Sequence, residues 1–128
     1  MGYDGRMPTA VELAVDRYIR LWSERAPAEA RTALLEQCWA DEGRLVTRSR
    51  EIRGRAALAA EIEKLHADPT FLRIRVHDPI DAKGTTFRFR ASLDRHDGTS
   101  AEAFDAGEID ASGRISLILT FAGPLGGA

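Results

Sequence analysis

Apolar positions in the first half of the chain recur every three to four residues, which is the spacing of an amphipathic helix. Three such stretches predict three helices. The first begins at Thr9, which has an acid three residues later and so fits a capping box. The second begins at Pro27 and ends by Gly43, and the third begins after Gly54 and ends before Pro69.

After residue 70 the apolar period changes to two, which is the spacing of half-buried strands. Turn sequences rich in Asp and Gly separate the alternating runs. The predicted strands lie at 45–47, 72–77, 86–92, 101–109 and 115–121. Three apolar faces are predicted along them: Leu72, Ile74 and Val76; Phe87, Phe89, Ala91 and Leu93; and Ile115, Leu117, Leu119 and Phe121. This order predicts an α+β fold in which three N-terminal helices pack on a curved, mainly antiparallel sheet.

Composition narrows the class of protein further. The 128 residues fit one domain, predicted to cover 8–124, with loosely held ends at 1–7 and 125–128. The net charge is −2 and the arginines are scattered among acids, so a nucleic-acid partner is not expected. No apolar run is long enough to cross a membrane. The single cysteine, Cys38, excludes an internal disulfide and favours the cytoplasm.

Four segments carry a resemblance to a known family. They are RYIRLW at 17–22, CWADEG at 38–43, IRGRAALAAEI at 52–62 and FDAGEIDASGRISLILTFAGP at 104–124. In this order and spacing they resemble the nuclear transport factor 2-like superfamily, and within it the ketosteroid-isomerase and SnoaL-like branch. The resemblance implies a cone-shaped α+β barrel around an apolar pocket, with homodimerisation through the outer face of the sheet. The superfamily hosts isomerases, dehydratases, cyclases and non-catalytic binders, so its fold does not fix a function.

The resemblance also implies roles for particular residues. Tyr18 falls where ketosteroid isomerases place the tyrosine that hydrogen-bonds the substrate's oxyanion. Asp105 falls where they place a protonated aspartic acid that shares this task. Their general-base aspartate is replaced here by Thr47, whose hydroxyl is too weak a base to remove a proton from carbon at neutral pH. The donor half of such a site is therefore expected, and the base half is not.

Two candidate residues keep an alternative interpretation. Asp105 lies on the predicted inner face of its strand, where it must be protonated, paired or hydrogen-bonded. A salt bridge to Arg88 or Arg90 is the alternative to a place in the pocket. His66, at the end of the third helix, is the best replacement base, because histidine titrates near neutral pH. A solvated histidine at a helix end is its alternative.

The predicted apolar ligand contacts come from helices one and three and from the long strand after the third helix: Trp22, Leu58, Ile62, Phe87 and Phe89. The three histidines show no metal-ligand spacing, and no cofactor motif is present, so neither a metal nor a cofactor is expected. The first functional hypothesis is an isomerase, dehydratase or cyclase that acts on a small, apolar, enolisable carbonyl compound. The second is a non-catalytic domain that binds a small ligand or dimerises.

Overall fold

The computed structural model describes residues 7–77 and 79–123. The predicted loose ends, 1–7 and 125–128, lie outside the described residues apart from Met7. The helices are α1 (Ala10–Ser23), α2 (Ala28–Cys38) and α3 (Arg55–His66). The strands are β1 (Trp39–Val46), β2 (Glu51–Arg53), β3 (Phe71–Val76), β4 (Asp81–Lys83), β5 (Thr86–Arg95), β6 (Ser100–Ile109) and β7 (Ile115–Ala122).

The helix starts follow local chemistry that is visible in the sequence. Thr9 and Glu12 form the predicted capping box, in which each side chain accepts the other residue's backbone N–H. Gly54 precedes α3 with a φ of 88°, a conformation that a residue with a Cβ adopts only under strain. Both predicted helix starts are therefore confirmed.

The end of α2 differs from the prediction. The helix stops at Cys38, and the segment that was expected to carry it to Gly43 is the first half of β1. Trp39 is fully buried as a strand residue, and a Cβ at Gly43 would lie 2.6 Å from its indole nitrogen. Gly43 is thus required for close packing on Trp39 and does not end a helix.

The seven strands form one open, curved, mixed sheet in the order β2-β1-β7-β6-β5-β3, with β4 paired to β5. The predicted antiparallel succession of the long strands is confirmed for β3, β5, β6 and β7. The parallel pairing of β1 with β7 was not predicted. It connects the β1-β2 hairpin to the rest of the sheet. The three helices pack against the concave side, called the inner face below, and leave the outer face uncovered within the described residues.

Register shifts overturn two of the predicted apolar faces. In β7 the pairing moves from Ile109 opposite Ile115 to Glu108 opposite Leu117. This irregularity places Ile115 and Ile118 in the core and leaves Phe121 53% exposed. The predicted face of Ile115, Leu117, Leu119 and Phe121 is therefore wrong.

A similar shift between Phe71 and Arg73 alters β3. Phe71 becomes fully buried and Leu72 is 42% exposed, so the predicted Leu72 face is wrong at its first residue. Ile74 keeps its predicted place and lines the inner cavity.

Candidate functional site

The inner face, α1 and α3 enclose a cavity of about 480 Å³. Its deeper wall is mainly apolar and aromatic: Tyr18, Ile19, Trp22, Leu45, Ile52, Leu65, Ile74, Ala91, Leu93 and Ala103. Asp105 and Thr120, which are paired across β6 and β7, add polar groups to this wall. Such a cavity, with few polar groups among apolar ones, is typical of a small-molecule site.

Tyr18 reaches the cavity from the buried side of α1. Its ring stacks on Trp39 at 5.5 Å and meets the edge of the Trp22 ring at 6.3 Å. Burial raises the pKa of Tyr18 well above its ordinary value, and the negative charge of Asp105 raises it further. Tyr18 is therefore a neutral hydroxyl donor at any physiological pH.

Asp105 is a buried acid of the cavity that is only partly hydrogen-bonded. Its side chain is 8% exposed, and Oδ1 has no hydrogen-bond partner among the described residues. Burial raises the pKa of Asp105 to about 6, and a hydrogen bond from Thr120 acts weakly against this. The group is mostly ionised at pH 7 and takes up a proton just below, which is the range that acid–base chemistry requires.

The salt-bridge alternative for Asp105 is wrong. Asp105 pairs with Phe89, and Arg88 and Arg90 flank Phe89 along β5. Because side chains alternate along a strand, both arginines lie on the outer face. Arg88 donates to Asp81 there, at 2.7 Å.

His66 is not among the residues that line the cavity. Its Nε2 lies 2.8 Å from the backbone oxygen of Trp22, and its ring stacks on Phe71 at 5.6 Å. Nδ1 is buried and has no partner among the described residues. Neither nitrogen of His66 is thus presented to a ligand, and the ring is held between α1 and β3.

The predicted ligand contacts divide into two groups. Trp22 lines the cavity, as do Tyr18 and Asp105. Leu58, Ile62, Phe87 and Phe89 belong to the core cluster and do not line it. The sequence pattern identified these residues as inward-facing, but it could not separate the packed core from the open part of the inner side.

Thr47, at the position of the family's base, does line the cavity. Its hydroxyl is occupied by the turn between β1 and β2, where it accepts the backbone N–H groups of Ser49 and Arg50 at 3.3 Å. It also contacts the backbone oxygen of Arg50. Thr47 therefore shapes the turn between β1 and β2, and its hydroxyl is engaged there.

Charged residues at the cavity were missed by the sequence reasoning. They are Arg50, Glu61, Lys64, Asp68 and Glu102. Glu61 on α3 forms an ion pair with Arg50 from the β1-β2 turn and with Lys64, the latter at 3.7 Å. The three-residue spacing of Glu61 and Lys64 was a visible signal, whereas the approach of Arg50 depends on tertiary structure.

A second buried acid, Asp94, lies on the outer face. Its carboxylate accepts hydrogen bonds from Arg73 at 3.0 Å, Arg75 at 2.9 Å and Ser100 at 2.7 Å. These donors hold the pKa of Asp94 well below its usual range. Nearby, His77 and Ser92 are hydrogen-bonded to each other. We call this group the Asp94 cluster.

Neither a cluster of potential metal ligands nor a helix able to span a membrane is found in the described residues. No group of three or more potential metal-ligating side chains is present in 7–77 and 79–123. Within the same part of the chain, no helix combines the length and the apolar character that crossing a bilayer requires.

Comparison with known proteins supports the predicted resemblance through structure. Neither a protein-family model nor a curated protein sequence matches the chain. Among solved structures, a SnoaL-like family protein from Agrobacterium tumefaciens strain C58 superposes with a TM-score of 0.78 at 26% identity. This match covers 90% of this chain and 98% of that one.

Two further solved structures share the fold at lower identity. One is a protein of unknown function from Exiguobacterium sp. 255-15, described as nuclear transport factor 2-like, with a TM-score of 0.64 and 18% identity over 86% of this chain and 98% of that one. The other, from Sinorhizobium meliloti, is provisionally described as a polyketide cyclase. Its TM-score is 0.66 at 15% identity, over 84% of this chain and 92% of that one.

The chain thus has the nuclear transport factor 2-like fold. Its solved neighbours include SnoaL-like and ketosteroid isomerase-like proteins, which confirms the predicted fold class.

Proposed function

We propose that the chain binds a small, largely apolar carbonyl compound in the cavity and moves a proton on a carbon next to the carbonyl. The observation that carries this proposal is the buried carboxylate of Asp105, whose Oδ1 has no partner among the described residues, close to the neutral hydroxyl of Tyr18. The reaction class is a cofactor-independent isomerisation, dehydration or cyclisation.

In this mechanism Tyr18 donates a hydrogen bond to the carbonyl oxygen, and ionised Asp105 accepts the proton from the neighbouring carbon. The C–H electron pair moves into the C–C bond, and the negative charge collects on oxygen, where Tyr18 stabilises it. Protonated Asp105 then returns the proton to the same or another carbon. The pKa of about 6 suits both steps, because the group is near its transition at neutral pH.

This assignment changes the role expected for Asp105 from donor to base. An aspartic acid with a pKa of about 6 is mostly ionised at pH 7 and cannot serve mainly as a donor. With Asp105 as the base, the mechanism does not require His66, whose Nε2 is hydrogen-bonded to the Trp22 backbone oxygen. Two structural neighbours favour the same reaction class: the Agrobacterium protein is provisionally described as an isomerase and the Sinorhizobium protein as a cyclase.

Proton exchange on a model ketone tests the proposal. The α-hydrogens of 2-tetralone, an apolar bicyclic ketone, would be followed by NMR in D₂O with and without the protein. We expect exchange above the buffer rate, a loss of about 100-fold or more in Asp105→Asn, and a smaller loss in Tyr18→Phe. Asp94→Asn is the matched control, because that acid lies outside the cavity and its loss should leave exchange unchanged.

The outcome also separates the second candidate function. Binding of 2-tetralone without exchange would contradict the catalytic proposal and favour a non-catalytic binder. The observation in favour of that candidate is Thr47, whose hydroxyl is used by a turn at the position of the family's base.

We also propose that two chains associate through the outer face of the sheet. Phe121 is 53% exposed there and lies opposite Phe104, beside the Leu119–Ala106 pair. An exposed aromatic patch on an uncovered sheet face is typical of an interface. Light scattering after size exclusion should show a dimer at micromolar concentration and a monomer for Phe121→Lys. A monomeric wild-type protein would contradict this proposal.

A further inference from the structure

We propose that Trp22 is a positioning residue: when a ligand is bound, its indole N–H donates to the Tyr18 hydroxyl oxygen and thereby turns the Tyr18 O–H toward the ligand. The inference rests on the proposed function of the cavity and assigns a task that the family pattern does not contain. It is carried by the contacts around three aromatic side chains at the buried side of α1.

The first observation is an unsatisfied donor. Nε1 of Trp22 is buried and has no hydrogen-bond partner among the described residues, although Trp22 lines the cavity. A buried donor without an acceptor is costly, so a folded protein is expected to supply one in its working state. Hydrogen bonds at catalytic sites are often long without a ligand and tighten when one binds.

The second observation is the position of Tyr18, whose hydroxyl oxygen can accept a hydrogen bond. Tyr18 precedes Trp22 by four residues on α1, so the two side chains are neighbours on one helix face. Their rings meet edge to face at 6.3 Å, with an angle of 71°. Burial dominates the raised pKa of Tyr18, and the nearby Trp22 N–H acts in the opposite direction, although the two groups form no hydrogen bond in the empty cavity.

The third observation is that the Tyr18 ring itself has little freedom. Trp39 stacks against the ring at 5.5 Å, with an angle of 17°, and Trp39 is fully buried. The hydroxyl hydrogen can still rotate. Once the oxygen accepts the Trp22 N–H, this hydrogen points away from Trp22 and can be donated to a carbonyl oxygen in the cavity.

His66 completes the arrangement from the other side. Its Nε2 lies 2.8 Å from the Trp22 backbone oxygen, and Phe71 stacks on its ring. This contact holds the C-terminal turn of α1, which carries Trp22. The histidine predicted as a base thus supports the residue that orients the donor.

A double-mutant cycle with two matched ligands tests the inference. The ligands are 2-tetralone and tetralin, the hydrocarbon of the same shape that lacks the oxygen, and the variants are Trp22→Phe, Tyr18→Phe and the double variant. We expect Trp22→Phe to weaken 2-tetralone binding by about 5-fold and to leave tetralin binding unchanged. In the Tyr18→Phe background, Trp22→Phe should have no further effect on the ketone.

Two results would overturn it. Equal losses for ketone and hydrocarbon would show that Trp22 only packs the cavity wall. An undiminished effect in the Tyr18→Phe background would show that Trp22 does not act through Tyr18. Either result leaves the proton-transfer proposal standing if Asp105→Asn still abolishes exchange.

An NMR measurement on the complex with 2-tetralone reports the hydrogen bond directly, because Nε1 of Trp22 has no partner among the described residues in the empty cavity. The indole N–H protons of Trp22 and Trp39 give separate NMR signals, which can be assigned by substitution. Tyr18→Phe keeps the ring and removes the oxygen, so it should shift the Trp22 signal upfield and change the Trp39 signal much less. An unchanged Trp22 signal would contradict the hydrogen bond.

Discussion

Asp94 and Asp105 lie on neighbouring strands of one sheet and are almost equally buried, at 7% and 8% exposure, but their surroundings are opposite. Asp94 on the outer face accepts hydrogen bonds from two arginines and a serine. Asp105 on the inner face has no ion pair within the described residues and faces an apolar cavity. The pKa of the first is depressed, and the pKa of the second is raised to about 6.

The comparison shows that burial alone does not determine what a carboxylate does. In the Asp94 cluster the donors compensate the lost water, so the ionised acid stabilises the fold. At Asp105 too few donors replace the water that is lost on burial, so the ionised carboxylate lowers the stability of the folded state. A buried group that lowers the folding stability when it is ionised is often a functional group.

The largest effect that we expect is a gain in stability from Asp105→Asn. The folded pKa of about 6 exceeds the ordinary value of 3.8, so the folded state binds the proton more tightly. Wild-type stability should therefore fall as the pH rises from 3.8 to about 6, by about 3 kcal/mol in all. The variant lacks this loss, and urea unfolding should find it more stable by up to that amount at pH 8.

The control for this prediction is the same comparison near pH 3, below the ordinary pKa of 3.8. There Asp105 is mostly protonated in the folded and the unfolded state, so wild type and Asp105→Asn should be nearly equal. An equal difference near pH 3 and at pH 8, or a destabilised variant, would mean that Asp105 has a structural partner.

Asp94→Asn should change stability in the opposite direction and by less. The depressed pKa means that the contribution of Asp94 is present above its ordinary pKa of 3.8 and is lost as the pH falls through the folded value. The variant should be less stable than wild type at pH 8, and the difference should fade in acid. The effect is limited because Arg73 and Arg75 are about half exposed and regain water. If Asp94→Asn were more stable than wild type at pH 8, ionised Asp94 would destabilise the fold as Asp105 does, and the prediction would be contradicted.

The smallest effect concerns salt. Added NaCl screens exposed charges strongly and buried ones weakly. Raising NaCl from about 0.1 to 1 M should therefore shrink the effect of Asp94→Asn and leave that of Asp105→Asn almost unchanged. Denaturation curves at both salt concentrations measure this, and equal salt sensitivity of the two variants would contradict the assigned surroundings.

Local chemistry was sufficient to predict much of the fold. The capping box at Thr9, the glycine before α3 and the period-two run of β5 depend on neighbours within a few residues, and the structure confirms them. The inward orientation of the Asp105 side chain also followed from the alternation of side chains along its strand. The faces of Leu72 and Phe121 were mispredicted because a register shift depends on the partner strand, which alternation along one strand does not reveal.

The candidate site was less accessible to prediction. Tyr18 and Asp105 could be identified because their positions match a family pattern, and both line the cavity. The role of His66 could not, because its partner is a backbone oxygen 44 residues away in sequence. The Arg50–Glu61 ion pair likewise joins a turn to a helix only after folding.

The parallel pairing of β1 with β7 has a consequence for the folding pathway. Trp39 and Ile115 are opposite each other although most of the chain separates them, so this pairing closes the longest loop in the sheet. Thr120 and Ala122 of β7 form part of the cavity wall, and the ligand site is complete only after this closure. A ketone that binds there should slow unfolding and leave the folding rate unchanged, as stopped-flow measurements would show.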